Sequence, residues 1–177
     1  VNKTKGQQAR RRIAQHRKVF EKIWESFEAT AARALAHGHK VAIEWPKGCA
    51  YWKHHQVVAF IQRNNLRIAE CHGCKFGLAN AKGQPIKKPW LVATNDDCLF
   101  EALNATRCAG DHHHAWAQGK DTKATESYTD AMVSTIHSAW RQSCAERNAV
   151  SCAALHSEAP RMARKATPYP HRTKIGP

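Results

Sequence analysis

Apolar residues recur at Ile13, Val19, Phe20, Ile23, Trp24, Phe27, Ala31 and Leu35, the i, i+3, i+4, i+7 spacing of one helical face. This predicts a helix from about Ile13, with the stripe read as packing surface in preference to a partner-binding face. His37-Gly38-His39 stops it, since glycine is suited to a left-handed cap. The short β-branched run Lys40 to Trp45 then predicts a buried strand, which Pro46 ends because proline cannot donate to a sheet ladder. Glu44 is thereby expected at the strand's carboxyl end, where open α/β sheets place their ligand crevice. The competing expectation is structural, a pairing with Lys40, Lys47 or a backbone amide.

A turn at Lys47-Gly48-Cys49 precedes a second helical pattern from Tyr51 to Asn64, stopped by Asn64-Asn65. Tyr51-Trp52 beside Lys53 is open to base stacking or to burial against the core, with burial preferred. Leu66 to Cys71 alternates with period two and predicts a strand; Lys88 to Thr94 predicts the next, joined through the turn Lys82-Gly83-Gln84-Pro85 as an antiparallel hairpin. Asp96 or Asp97 is placed to cap a helix over Cys98 to Leu103. Thr129-Asp130 opens a last helix, with Met132, Val133, Ile136, Ala139 and Trp140 as its apolar face and His137 and Cys144 as packed neighbours. The pattern gives an α/β fold: a partial Rossmann-like sheet of about three strands flanked by helices, with a Cys/His segment and disordered basic ends. One domain is expected over residues 13–156. Residues 1–12 are expected to be disordered or a frayed helix start, and 157–177 a basic, proline-containing tail.

Composition sharpens this picture through charge. Lys and Arg number 28 against 14 Asp and Glu, a formal net charge of +14, which is the electrostatic footprint of a nucleic-acid partner or of a segment whose balancing parts lie elsewhere. Phosphate contacts are expected from the arm Lys3 to Lys18, with Arg10, Arg11 and Arg12 in it, from the turn Lys82 to Lys88, through Lys82, Lys87 and Lys88, and from the tail Arg161 to Lys174. The seven cysteines are odd in number and irregularly spaced, so reduced thiols are expected in place of a disulfide framework, with an intracellular location, nuclear or cytoplasmic. No apolar run approaches the roughly 20 residues of a membrane span. The chain begins with Val, which suggests a processed product or a fragment of a longer polyprotein with an upstream domain.

Most of the candidate chemistry lies between Cys71 and His114. Zinc takes four soft or borderline ligands in a tetrahedron, and the spacings Cys71-x-x-Cys74 and Cys108-x-x-x-His112-x-His114 can supply them. The expected set is Cys74, Cys108, His112 and His114, with Cys71 as substitute. The alternative is small buried thiols beside a solvated histidine loop.

The succession of helix, a strand ending Ile43-Glu44-Trp45-Pro46, helix, strand, Phe76-Gly77 turn and strand resembles the second half of a Rossmann-type methyltransferase, and is most similar to the cytosine-5 DNA methyltransferases. The resemblance covers Val19 to Asn95. It implies that Glu44 is the acidic residue that faces a base, that Gly77 is the turn glycine, and that Lys87-Lys88 lie in the region of that family's arginines. Trp45-Pro46 departs from the family's Asn-Val. There is no Gly-x-Gly loop after a strand and no Pro-Cys nucleophile, so S-adenosylmethionine is not expected to bind this chain alone. The runs Cys-x-Phe-Gly, Lys-Pro-Trp and Cys-x-Gly-Asp-His-x-His also look similar to a domain of mobile-element polyproteins. Three functions follow. The first is a methyltransferase-like domain that contacts nucleic acid and is catalytically incomplete. The second is a zinc-stabilised nucleic-acid-binding module without activity, and the third a metal-dependent nuclease built on Asp111-His112-His113. The nuclease reading lacks the expected strand pair before Asp111.

Overall fold

In a computed structural model, residues 6–117, 122 and 125–157 are described, 150–157 by backbone alone. The expected tail from residue 158 and the arm up to residue 5 lie outside the described residues. The elements are α1 (Gln7–Ala36), β1 (Ala42–Pro46), α2 (His55–Arg63), β2 (Arg67–His72), β3 (Pro89–Thr94), α3 (Asp97–Asn104) and α4 (Asp130–Ser157). Two single 3-10 turns, Ala50–Lys53 and Gly73–Phe76, follow β1 and β2. Chain contacts separate one unit, Val1–Cys144, from a second, Ala145–Pro177. The first holds every feature discussed below.

The fold is mixed α/β around a three-stranded sheet in the order β1-β3-β2. Both pairings are antiparallel, Ile43 and Ile68 each lying opposite Ala93. The antiparallel β2–β3 relation is the expected one. A doubly wound nucleotide-binding sheet pairs its strands in parallel, so the family-level architecture goes beyond what this sheet displays.

Side-chain alternation gives the sheet two buried faces. Ile43 and Ala93 join Phe20, Trp24 and Ala31 of α1, Val57 and Phe60 of α2, and Leu66. On the other face Ala69, Cys71, Trp90 and Val92 pack with Phe76, Leu78, Ile86, Leu103 of α3 and Met132 of α4. The stripe of α1 is thus packing surface through Phe20, Trp24 and Ala31, while Val19 and Ile23 stay exposed. Tyr51 stacks on Phe20 at 3.6 Å between ring centroids and Trp52 meets Trp45 at 5.0 Å, so this pair is committed to the core side.

Several boundaries differ from the sequence pattern. α1 begins at Gln7, six residues before the apolar stripe, because Gln, Ala and Arg are good helix formers that need no buried face to extend an established helix. The helical pattern Tyr51 to Asn64 is broken: His54 is extended between the 3-10 turn and α2. Trp52 Nε1 donates to the Pro46 carbonyl at 3.2 Å, holding the 3-10 turn against the end of β1. Pro46 is itself the last paired residue of β1, opposite Trp90, so Glu44 sits in mid-strand opposite Val92. The expected stops hold, with Gly38 at φ +70° and Asn65 at φ +51°. Asp96 is the cap of α3, its Oδ1 accepting from Leu99 N–H at 3.2 Å, and Thr129 Oγ1 accepts from Met132 N–H at 3.3 Å at the start of α4. On the expected apolar face of α4, Met132 and Ala139 are buried whereas Val133 and Trp140 are exposed. Among the described residues, no helix is long and apolar enough to cross a membrane.

Candidate metal centre

Period-two alternation along β2 turns Ala69 and Cys71 into the sheet's second core, and Cys71 is fully buried there. Burial pushes its thiol up to about 12, with Glu44 and Glu70 adding to the effect. Cys71 is therefore a core residue and not the substitute ligand the Cys-x-x-Cys spacing allowed. The chain then leaves the strand through Gly73, whose N–H donates to the Lys87 carbonyl at 2.6 Å. Space at this point is tight: a Cβ on Gly73 would lie 2.6 Å from Leu78 Cδ2 and 3.1 Å from the Ile86 carbonyl oxygen. The 3-10 turn that follows carries Cys74 out of the core direction.

Cys108 lies on the segment after α3, and the chain that follows returns toward the 79–86 arm through a parallel bridge, Ile86 to Ala115. Cys74, Cys108, His112 and His114 come together, one ligand atom from each lying within 4.8 Å of every other. Cys108 Sγ is 3.5 Å from His114 Nε2 and 3.9 Å from His112 Nε2. These four are the predicted set, and they lie close enough to bind a metal ion. Burial raises the Cys74 thiol, and its contact with Cys108 adds to the shift. Desolvation first, then the neighbouring His112 and Lys87, lower His114, which favours its neutral, ligating form. Gly110 N–H donates to Cys108 Sγ at 3.3 Å. His113, between the two histidine ligands, is exposed.

Two supports orient the cluster, and neither was anticipated as such. Asp111 Oδ1 lies 2.8 Å from His112 Nδ1; a proton there leaves Nε2, the atom facing Cys108, free to ligate. The second starts at His72, buried at the end of β2, whose Nδ1 accepts from Cys108 N–H at 2.8 Å. That fixes the tautomer, and Nε2 then donates to Glu70 Oε1 at 3.1 Å. Glu70 also receives Lys47 Nζ at 2.7 Å and Arg107 at 3.0 Å. Lys47 first, then His72, hold its carboxyl down at about 2. A signal was present in the sequence: His72 sits inside Cys-His-Gly-Cys, on the opposite face of the strand from Cys71.

Glu44 is elsewhere, half-buried on the same sheet face as Cys71 and Trp90. Its Oε2 accepts from the Tyr128 hydroxyl, and its Oε1 is buried without a hydrogen-bond partner among the described residues. Burial raises its pKa, opposed by Tyr128 and by Lys88. Lys40 instead donates to the Asn95 carbonyl at 3.1 Å and Lys47 to Glu70, so neither expected partner is used. Of the expected phosphate contacts, Arg10, Arg11, Arg12, Lys82 and Lys87 are exposed. Lys88 is half-buried, donates to the Thr125 carbonyl and lies 5.2 Å from the Trp90 ring centroid.

No family model matches the sequence, and none of the curated proteins or solved structures compared with it matches.

Proposed function

We propose that this chain is a zinc-stabilised module that binds nucleic acid through its basic surface and has no catalytic activity of its own. The convergence of two thiols and two imidazole nitrogens within 4.8 Å carries the reading. A tetrahedron with Zn–S of about 2.3 Å and Zn–N of about 2.0–2.1 Å has edges of roughly 3.4–3.8 Å; the 3.5 Å separation of Cys108 Sγ from His114 Nε2 falls in this range, and the 3.9 Å separation from His112 Nε2 is just above it. A mixed thiolate and imidazole set selects zinc over magnesium or calcium, which take oxygen ligands. Four protein ligands leave no open position for water or substrate, which weighs against the nuclease reading and makes the metal structural. The net charge of +14 and the exposed Arg10 to Arg12, Lys82 and Lys87 support a polyanionic partner.

The methyltransferase-like reading and an origin in a mobile-element polyprotein rest on short motifs alone. Glu44, the residue on which the catalytic version depends, sits in mid-strand and is bonded to Tyr128. The test uses the purified full chain. One equivalent of zinc by elemental analysis is expected, with loss of several kcal/mol of stability on chelation. Duplex binding is expected to weaken with salt at a slope of about −0.9 per neutralised phosphate. Less than a tenth of an equivalent with unchanged stability in chelator would remove the zinc site, and absence of binding at low salt would remove the nucleic-acid partner.

A further inference from the structure

Beside the metal cluster the chain leaves a cavity of about 800 Å³. Pro46, Ile86 and Pro89 line it together with the histidines His112 to His114, and its charged lining residues are Lys87, Lys88 and Glu126. The volume is within the roughly 300–1,000 Å³ of sites for small organic groups, and far larger than an ion requires. One wall is Trp116, and its placement follows from local backbone geometry. Ala115 is bridged to Ile86 and its N–H donates to the Pro85 carbonyl at 2.8 Å. Ala115 and Ala117 both pack against the second core, so alternation turns Trp116 outward, leaving it 84% exposed. A lone large aromatic ring is thus held open to water on a segment whose neighbours are anchored.

We infer that this slot takes an unpaired base of single-stranded nucleic acid, stacked on Trp116 with its phosphate against Lys87. The inference deepens the proposed function and rests on it. Charge complementarity selects the occupant: an open aromatic face shares the cavity with two lysines, Lys87 exposed, against one acid, Glu126, and on a chain of net charge +14 this offers stacking and phosphate attraction together. A duplex keeps its base faces internal and has nothing to lay on the ring, so the slot distinguishes single strands from duplexes while the basic surface does not. Trp116 is too exposed to matter for folding, which makes it a clean probe.

The experiment measures binding of a fluorescent thymidine oligonucleotide of about ten nucleotides to the metal-loaded full chain, alongside a duplex of the same length. Trp116→Ala is expected to weaken single-strand binding roughly 5- to 100-fold, the equivalent of one stacked base, and to leave duplex binding unchanged. Trp116→Phe should retain most of the affinity. Trp140→Ala, which removes another exposed tryptophan, on α4, should change nothing. Single-strand affinity in Trp116→Ala equal to the parent's, with salt-dependent binding intact, would overturn the slot and leave the broader reading standing. An acidic peptide that quenches Trp116 where the oligonucleotide does not would overturn it in favour of a protein partner. Absence of nucleic-acid binding at low salt would sink both.

Discussion

At the scale of single residues, the position that ties the candidate metal centre to the sheet is Glu70. It stands between two half-exposed cations and one buried imidazole, and the magnitudes separate their roles. The ion pairs with Lys47 and Arg107, whose side chains are 51% and 56% exposed, contribute little to stability. The bond from His72, with both side chains largely buried, matters more because it fixes the tautomer that accepts from Cys108 N–H. Glu70→Gln keeps an acceptor for His72 but removes the charge, and is expected to cost about 1–2 kcal/mol at pH 7. The sign of the pH dependence follows from a carboxyl held at about 2 in the fold against 4.5 ordinarily. Its contribution is complete above about 4.5 and disappears as the pH falls through about 2. Denaturant titrations of parent and variant should therefore differ most near neutrality and converge in acid. Loss of metal in acid affects both chains and cancels in the comparison. A difference that persists unchanged at the lowest pH would show that Glu70 acts through shape and not through charge.

Elements determine which of the chain's thiols meet, and here the sequence was legible in part. The stripe of α1, the stops at Gly38 and Asn65, the caps Asp96 and Thr129 and the antiparallel β2–β3 relation all follow from local pattern, because each depends on residues a few positions apart. The four clustered ligands were also readable from spacing and chemistry. Cys71, the expected substitute, is excluded by the alternation of the strand, which assigns it to the core, and only the turn at Gly73 releases Cys74. Glu44 was misplaced because Pro46 was read as ending the strand when it is the last residue in the ladder. The bond between Cys108 and His72 and the pairings of Lys47 and Arg107 with Glu70 were hidden because they join segments distant in sequence. Gly73 is the element-level test. Its Cβ would press on Leu78 and on the Ile86 carbonyl; the Leu78 methyl can yield, but the backbone oxygen cannot without moving the 79–86 arm to which the histidine segment is bridged. Gly73→Ala should cost about 1–3 kcal/mol and weaken zinc binding together with it. A thermal scan showing parent-like stability would mean that the 3-10 turn adapts more freely than these distances allow.

For the first unit as a whole, the sheet separates two cores of different kinds. The face under α1 and α2 is rich in aromatic rings, with Trp24 against Phe60 at 5.7 Å and Phe20 on Tyr51, and no candidate ligand belongs to it. The other face includes the turn and arm that flank Cys74 and receives the histidine segment through Ala115 and Ala117. If zinc holds that segment, its removal should not affect the molecule uniformly. Opening free energies differ between regions according to how much buried apolar surface and how many secured hydrogen bonds each retains. Without metal, residues 105–117 keep the bridge to Ile86, the two hydrogen bonds that join Thr106 and Cys108 to His72, the exposed Arg107 pairing with Glu70 and the packing of two small alanines, which bury little apolar surface. α1 and α2 retain their aromatic core entire. Hydrogen exchange on the metal-loaded chain, repeated after chelation, should therefore show amides of 73–78 and 105–117 losing most of their protection. Amides of β3 and α3 should change moderately, and those of α2 and the buried face of α1 should hardly change. Equal acceleration along the chain would instead mean that the two cores open together, as a single cooperative unit whose stability the metal sets globally.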